Sequence, residues 1–493
     1  MNRKMKRIFV YIIFSLLAMG DICAQQADSL FVYNDSVRMI KHPWRAAFEN
    51  IIINTAIWAD NRFERKADYA KISLKTIHAN IKRGFVWDND LFASNQLLHP
   101  IHGSLFFSAA RSNGLNYWKS LPYSFMGSFS WELCAETTPP SINDLLSTSF
   151  GGAALGEVSY RLSTLVLDDS KTGAARLWRE FVGTVVSPVR GLNRIITGKA
   201  WKVRHKYYKY IDYEKMPVNI SVTLGDRYMA DDNHFFKQNN NAYLEYQMNY
   251  GDILSNETTK PYDFFKFNVL FNLGGTQPIV SNVSLVAKLA AKCYEPLPGH
   301  KALIGLFQHF DYYNSEIVLK DSKSIPFKLA EGSTFGLGMA YLFPATKKVS
   351  IWHRTYLNLV LLGGTLTDYY RLGRNYNLGS GFSIKNYTSI ESRKYGSLDL
   401  NLFYYNLFTW KGYSDAEIKS TEDPYLYLNT QGDKGNTAFL IFNPVMNLNL
   451  SSCWKATFGS FLYFRKSHYD YHEDVTSSTF EIRLGLKYTF GLK

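Results

Sequence analysis

The residues before the terminal lysine alternate without a break. Phe480, Ile482, Leu484, Leu486, Tyr488, Phe490 and Leu492 fall on one side, and Glu481, Arg483, Gly485, Lys487, Thr489 and Gly491 on the other. A period of two is that of a β-strand with one apolar and one polar face. Transmembrane barrels commonly end on such an aromatic-rich strand, with lipid outside and a polar lumen inside. The strand therefore reads as a membrane anchor and as the signal met by the outer-membrane assembly machinery, with Lys493 standing where an aromatic residue is usual.

The same alternation recurs upstream. From about residue 217 the chain breaks into apolar-polar segments bounded by Asn, Asp, Gly, Pro and Ser. In 264–273, Phe265, Phe267, Val269, Phe271 and Leu273 oppose Lys266, Asn268 and Asn272. In 335–343, Phe335, Leu337, Met339, Tyr341 and Phe343 oppose Gly336, Gly338 and Ala340, a face small enough to admit a close neighbour. In 398–404, Leu398, Leu400, Leu402 and Tyr404 oppose Asp399, Asn401 and Phe403; in 454–464, Trp454, Ala456, Phe458, Leu462 and Phe464 oppose Lys455 and Thr457.

The strands expected are 217–225, 241–251, 262–273, 281–293, 299–311, 332–343, 348–362, 378–390, 395–410, 436–449, 453–466 and 478–492. An even number suits a closed bacterial barrel. A soluble β-sandwich also alternates, but 16% aromatic content with Tyr and Trp near strand ends matches an interfacial girdle.

At the other end, Arg3, Lys4, Lys6 and Arg7 precede an apolar run from Ile8 to Met19, and Ala24 closes a stretch with the look of a cleaved export signal. Residues 25–42 read as a flexible segment. Beyond residue 24 no apolar run reaches the ~20 residues of a spanning helix. A spanning mature chain must then cross as a barrel.

The chain carries 55 basic and 42 acidic residues, a net charge of +13. That surplus suits anionic outer-membrane lipids, whereas nucleic acid is no partner for an exported chain. Cys134, Cys293 and Cys453 are scattered and odd in number, so neither a disulfide framework nor a metal site is expected, and no cofactor motif occurs.

Residues 43–197 lack the period of two and read as helices broken at Gly and Pro, joined to the barrel by a basic and aromatic linker, 198–216. The fold class expected is thus α+β, a helical module followed by an antiparallel transmembrane barrel over 217–493. Within the module, ionisable residues sit among Gly, Ala, Ser, Phe and Trp. Glu132 and Glu136 share a helix face, as do Glu157 and Arg161. Buried charges need partners, so Arg111, Glu132, Glu136, Asp144, Glu157 and Arg161 are expected to form a polar network.

The same residues admit a catalytic reading, in which His99 or His102 acts with Glu132, Glu136 or Asp144 in proton transfer. No known spacing selects it: His99 and His102 are three apart, unlike the pair of H-E-x-x-H. Asp88-Asn89-Asp90 lacks the spacing of a calcium loop and reads as a cap or turn. Arg190, Arg194, Lys199, Lys202 and Arg204 suit lipid headgroups, or a solvated connector.

The run Trp87-Asp88-Asn89-Asp90, Asn95, His99-Pro100, Gly103, Ala110-Arg111, Gly114, Gly127-Ser128, Trp131-Glu132, Glu136, Ser141, Asn143-Asp144, Gly151-Gly152 and Gly156-Glu157, followed by Pro188 to Arg194, resembles the DUF3943 family of Gram-negative bacteria. The resemblance covers roughly 45–197. It implies an envelope location and supplies no activity, substrate or catalytic residue. The function expected is a non-catalytic outer-membrane protein whose module, periplasmic or in the lumen, occludes or organises the barrel in lipid or solute handling. Two alternatives stay open. One is a lipid-modifying hydrolase built on the His/Glu/Asp cluster. The other is an adhesin or uptake receptor using segments 312–331 and 411–435.

Overall fold

A computed structural model describes residues 36–37, 40–88, 90–203, 209–210, 216–231, 240–255, 260–316, 325–346, 348–370, 374–421 and 433–492. The export signal, most of 25–42 and Arg204 lie outside these residues.

The N-terminal part is helical. Its helices are α1 (Pro43–Ala59), α2 (Leu74–Arg83), α3 (His99–Ser112), α4 (Tyr117–Cys134), α5 (Ile142–Leu146), α6 (Gly152–Val166), α7 (Gly173–Val186) and α8 (Pro188–Ile196). Local chemistry sets several starts. Pro opens α1 and α8, where its missing N–H costs nothing. Ser73 caps α2 in a reciprocal box with Thr76, Asn116 caps α4 by accepting from the Lys119 amide, and Ser141 caps α5 by accepting from the Asp144 amide. Among the described residues no helix is long and apolar enough to cross a membrane.

Among the described residues twelve barrel strands follow: β1 (Val218–Asp231), β2 (Asn240–Tyr250), β3 (Phe265–Asn272), β4 (Val280–Tyr294), β5 (Lys301–Asn314), β6 (Lys328–Leu342), β7 (Val349–Leu366), β8 (Tyr376–Ser392), β9 (Gly396–Thr409), β10 (Gly435–Asn449), β11 (Trp454–Tyr469) and β12 (Val475–Leu492). Each neighbours the next, and β12 meets β1, so the sheet is a closed barrel without an edge. A short helix, α9 (Asp415–Ser420), lies between β9 and β10.

The alternation maps onto the barrel wall. On the closing strand Leu484 and Leu486 are exposed, whereas Glu481, Arg483 and Lys487 are buried. Leu337, Leu357, Leu359 and Phe408 are likewise exposed, and Arg354, Asn358, Ser383 and Lys385 buried. An apolar outside over a polar inside is the distribution a lipid-facing barrel requires.

Several strands run beyond the expected ends. Gly225, the last residue of the expected strand 217–225, lies in the middle of β1, where a side chain would strike the carbonyl oxygen of Leu484 at 2.0 Å. On β5 and β6, register shifts between His309 and Asp311 and between Glu331 and Ser333 break the period of two, hiding the continuation to Asn314 and from Lys328. Loop candidate 312–331 thus has strand at both ends and 411–435 contains α9, while 317–324 and 422–432 lie outside the described residues.

Contacts divide the chain into two units. Residues 87–97 belong to the barrel unit with 217–491, and the helices on either side of them form the other.

Candidate functional site: an ionic helical interior and inward clusters of the barrel

In the helical unit, α3 and α6 meet backbone to backbone. A methyl at Gly103 would lie 1.8 Å from the Thr148 carbonyl oxygen, and one at Gly152 would lie 2.6 Å from Gly103 Cα. This approach brings Arg111 to Glu157. The guanidinium donates to both carboxylate oxygens at 2.7 and 3.1 Å, and Arg161 donates to the same carboxylate at 2.8 Å. Glu157 is fully buried, and such a carboxylate is tolerated only with paired donors.

The Tyr160 ring lies between two guanidinium groups, 4.5 Å from Arg111 and 4.1 Å from Arg190. Arg190 also donates to the Tyr160 carbonyl and to the Ser163 and Thr164 hydroxyls. Arg194 pairs with Glu180 at 2.7 Å and Asp169 at 2.6 Å, and Arg176 reaches the same two carboxylates. Burial opposes the charge on Arg194, but these partners outweigh it and hold the group above the usual arginine range. Arg190 and Arg194 are therefore buried among protein partners. Lys202 is exposed and Lys199 half-buried.

The other candidates are spread over α3 to α5. Glu132 accepts from the Ser141 amide at 2.8 Å, and Glu136 accepts from the Trp131 indole at 2.7 Å and the Thr138 hydroxyl at 2.9 Å. His99 Nε2 lies 3.4 Å from Asp144 Oδ1, and Asn143 donates to the same oxygen at 3.0 Å. His102 instead packs its ring between Phe106 and Trp131, at 4.8 and 5.0 Å. Burial, with the neighbouring His99 as a smaller cause, lowers its pKa to about 3. At neutral pH His102 is an uncharged aromatic packing element.

In the barrel unit side chains from separate strands of the wall meet inside the barrel. Lys385 on β8 donates to Asp311 on β5 and Glu331 on β6, both at 2.5 Å, and Tyr405 on β9 donates to Asp311 at 3.0 Å. Above this cluster Phe327, just before β6, stacks on Tyr463 of β11 with ring centroids 4.3 Å apart, five strands round the barrel. They join a buried cluster with Leu329, Leu407, Phe439 and Ile441. Asp368, after β7, reaches inward to Arg465 of β11 at 2.6 Å.

At the opposite end Ile253 and Phe264, from the connection between β2 and β3, pack with Val286, Leu303, Phe307 and Tyr356. Gly338 leaves space there for the Tyr356 and Phe307 rings, the close neighbours that the small face of 335–343 admits. Tyr387 touches both apolar clusters. A second ionic group lies on the far wall. Arg227 of β1 donates to both oxygens of Glu481 at 2.6 and 3.0 Å, and Arg483 pairs with the same carboxylate. Sequence reasoning did not single out Lys385, Asp311, Glu331 or Arg227; their signal is a charge on the polar face of an alternating strand.

Residues 87–97 are built onto the outside of this barrel. The Phe92 ring lies 5.3 Å from Tyr312 and 5.2 Å from Tyr376, Lys328 lies 5.5 Å above it, and Trp87 stacks on Trp410 at 5.4 Å. Tyr312 and Lys328 alternate with the inward Asp311, Tyr313, Leu329 and Glu331, and therefore face outward. Asn95 and the Asp90 carbonyl both bond the Tyr376 hydroxyl. Asp88 accepts from the Asn95 side chain at 2.9 Å and from the Asp90 amide at 3.3 Å.

Residues 84–189 match the family described as Domain of unknown function (DUF3943). No curated protein matches the chain. Solved structures similar to part of it include the NanC porin, at 8% identity over 54% of this chain and 98% of that one, TM-score 0.23. The transport unit of the autotransporter AIDA-I from Escherichia coli gives 10% identity over 58% and 94%, TM-score 0.23. The outer membrane protein OprD from Pseudomonas aeruginosa gives 9% identity over 56% and 93%, TM-score 0.20.

Proposed function

We propose that this chain, which carries the DUF3943 domain, is an outer-membrane barrel protein with a lumen closed at rest and a non-catalytic role in envelope lipid or solute handling. The observation that carries this reading is the Phe327–Tyr463 stack five strands across the lumen, supported below by the Lys385, Asp311 and Glu331 cluster. An open pore needs a water-filled path past such residues. Here closure belongs to the barrel's own side chains, while the family-matching segment 87–97 organises the outer wall. The partners proposed are outer-membrane lipids and the assembly machinery that reads the closing strand.

Single-channel recording of the purified full chain in planar bilayers tests the reading. The wild type is expected to stay silent, and Phe327→Ala with Tyr463→Ala to give measurable openings. Stable wild-type conductance would overturn the closed lumen.

The contact between His99 and Asp144 supports a second reading, a lipid-modifying hydrolase with His99 as base. Lipid profiles of a deletion strain complemented with wild type, His99→Ala or Glu132→Gln test it. Identical profiles in all strains remove it.

A further inference from the structure

Four helices of the helical unit carry large apolar side chains on their exposed faces. On α1, Trp44, Phe48, Ile51 and Ile52 are exposed, while Ala46 and Asn50 are buried. On α7, Leu177, Trp178 and Phe181 are exposed, while Arg176 and Glu180 are buried in ionic contacts. The adjoining α8 repeats the pattern, with Leu192, Ile195 and Ile196 outside and Arg190, Asn193 and Arg194 inside. On α4, Trp118, Phe125 and Phe129 face out while Ser120, Ser124 and Glu132 face in. Each exposed set recurs at three, four or seven residues, so it forms one stripe along its helix.

A water-soluble bundle carries these stripes on its inner face, and an exposed patch of this extent marks a binding surface. Small residues at the helix contacts, as at Gly103 and Gly152, are the packing habit of helices in lipid, and Arg176, Glu180, Arg190 and Arg194 of α7 and α8 are buried beneath the stripes. The chain also supplies the hydrocarbon surface. The barrel's outer wall is a lipid interface, and segment 87–97 is part of that wall. The helical unit's chain joins the segment covalently at Val86 and Leu98, beside the exposed Phe85 and Leu98 side chains.

We infer that the helical unit is seated in the bilayer, with the apolar stripes of α1, α4, α7 and α8 among lipid acyl chains and the ionic network enclosed within the bundle. No described helix is apolar and long enough to cross, so the helices lie in the bilayer as interfacial elements do. The inference rests on the membrane-spanning barrel and is independent of whether the lumen is closed.

The test uses the full chain with Cys134, Cys293 and Cys453 replaced by Ser and one cysteine introduced by Phe48→Cys, Phe129→Cys, Trp178→Cys or Ile196→Cys, with Lys75→Cys as the polar control. Each variant is labelled with a fluorophore and reconstituted in phosphatidylethanolamine and phosphatidylglycerol vesicles doped with nitroxide-tailed lipid. Heat-dependent gel mobility confirms a folded barrel first. Quenching by the lipid nitroxide is expected to be at least about twofold stronger at the four apolar sites than at the control, with aqueous iodide giving the reverse order. Iodide quenching all five labels alike would overturn the inference. So would four labels silent to both quenchers together with cross-linked dimers, which would put a second copy on this face. Conductance is read separately, so failure of the closed lumen leaves this result intact.

Discussion

Asn95 and Tyr376 stand 281 positions apart in the chain, and the Asn95 amide donates to the Tyr376 hydroxyl at 2.7 Å. The same hydroxyl donates to the Asp90 carbonyl at 2.6 Å, and the Phe92 ring meets the Tyr376 ring edge to face. One tyrosine at the start of β8 thereby fastens the segment that interrupts the helical unit to the barrel wall. It also gives the family-matching stretch a structural purpose: part of it belongs to the barrel unit.

Tyr376→Phe removes both bonds and leaves the ring. At about 1 kcal/mol per neutral hydrogen bond, the segment should open more easily by roughly 2 kcal/mol, or about thirtyfold in amide exchange. Phe92→Ala, which removes the stack with Tyr312 and Tyr376, should cost more. Hydrogen exchange read by mass spectrometry over 87–97 checks both. Unchanged protection in the two variants would mean that the strap is not docked in solution.

Lys385 is the cation between Asp311 and Glu331, and all three are buried. Lys385→Met leaves two carboxylates without their shared partner, which should destabilise the barrel by about 3–5 kcal/mol. Adding Asp311→Asn and Glu331→Gln removes the uncompensated charge and should recover most of the loss. Urea unfolding in detergent, followed by heat-dependent gel mobility, separates the cases. A triple variant no more stable than Lys385→Met would show that the lost lysine contacts, rather than stranded charge, set the cost.

The barrel was legible because one physical rule acts on every strand. Lipid on one side and the lumen on the other force a period of two, as at Leu484 against Arg483, and the pattern is hidden where a register shift intervenes, as at Asp311, or where apolar residues such as Phe439 and Ile441 also point inward. The lumen's partners were less legible. Lys385 and Asp311 meet across three strands, a juxtaposition set by closure and shear that no local spacing encodes. The helical unit misled in another way. Arg190 and Arg194 form a basic cluster that suits headgroups on paper, yet Glu180, Asp169 and Tyr160 from preceding segments enclose them. Composition marks a charge; only the fold shows whether it faces lipid, water or a carboxylate.

Gly103 and Gly152 allow α3 and α6 to touch, and that contact brings Arg111 to Glu157. Gly103→Val puts carbon where the Thr148 carbonyl lies, 1.8 Å away in the native bundle. The helices must part, and overpacking of about 1–3 kcal/mol combines with a weakened ionic contact. Gly156→Ala meets the Phe107 ring at 2.9 Å, and a ring shift absorbs that more readily than a backbone can. The helical circular-dichroism transition should therefore fall clearly for Gly103→Val and less for Gly156→Ala. Equal melting of the two would argue against the close helix contact.

His102 gives the helical unit an acid limit. Its pKa is about 3 in the folded chain, held down by burial, against the ordinary 6.5 once unfolded. Between those values the unfolded chain binds the proton that the folded chain refuses, so stability drops as pH falls. The contribution is fully present above pH 6.5 and declines through the window by up to about 1.4 kcal/mol per pH unit. His102→Phe keeps an aromatic ring between Phe106 and Trp131 and removes the titration. Chemical unfolding of the helical signal at a series of pH values should show the wild type losing stability relative to this variant from pH 6.5 downward. Parallel curves for the two proteins would mean that His102 is protonated in the folded state as readily as in the unfolded one, and that its ring is open to water.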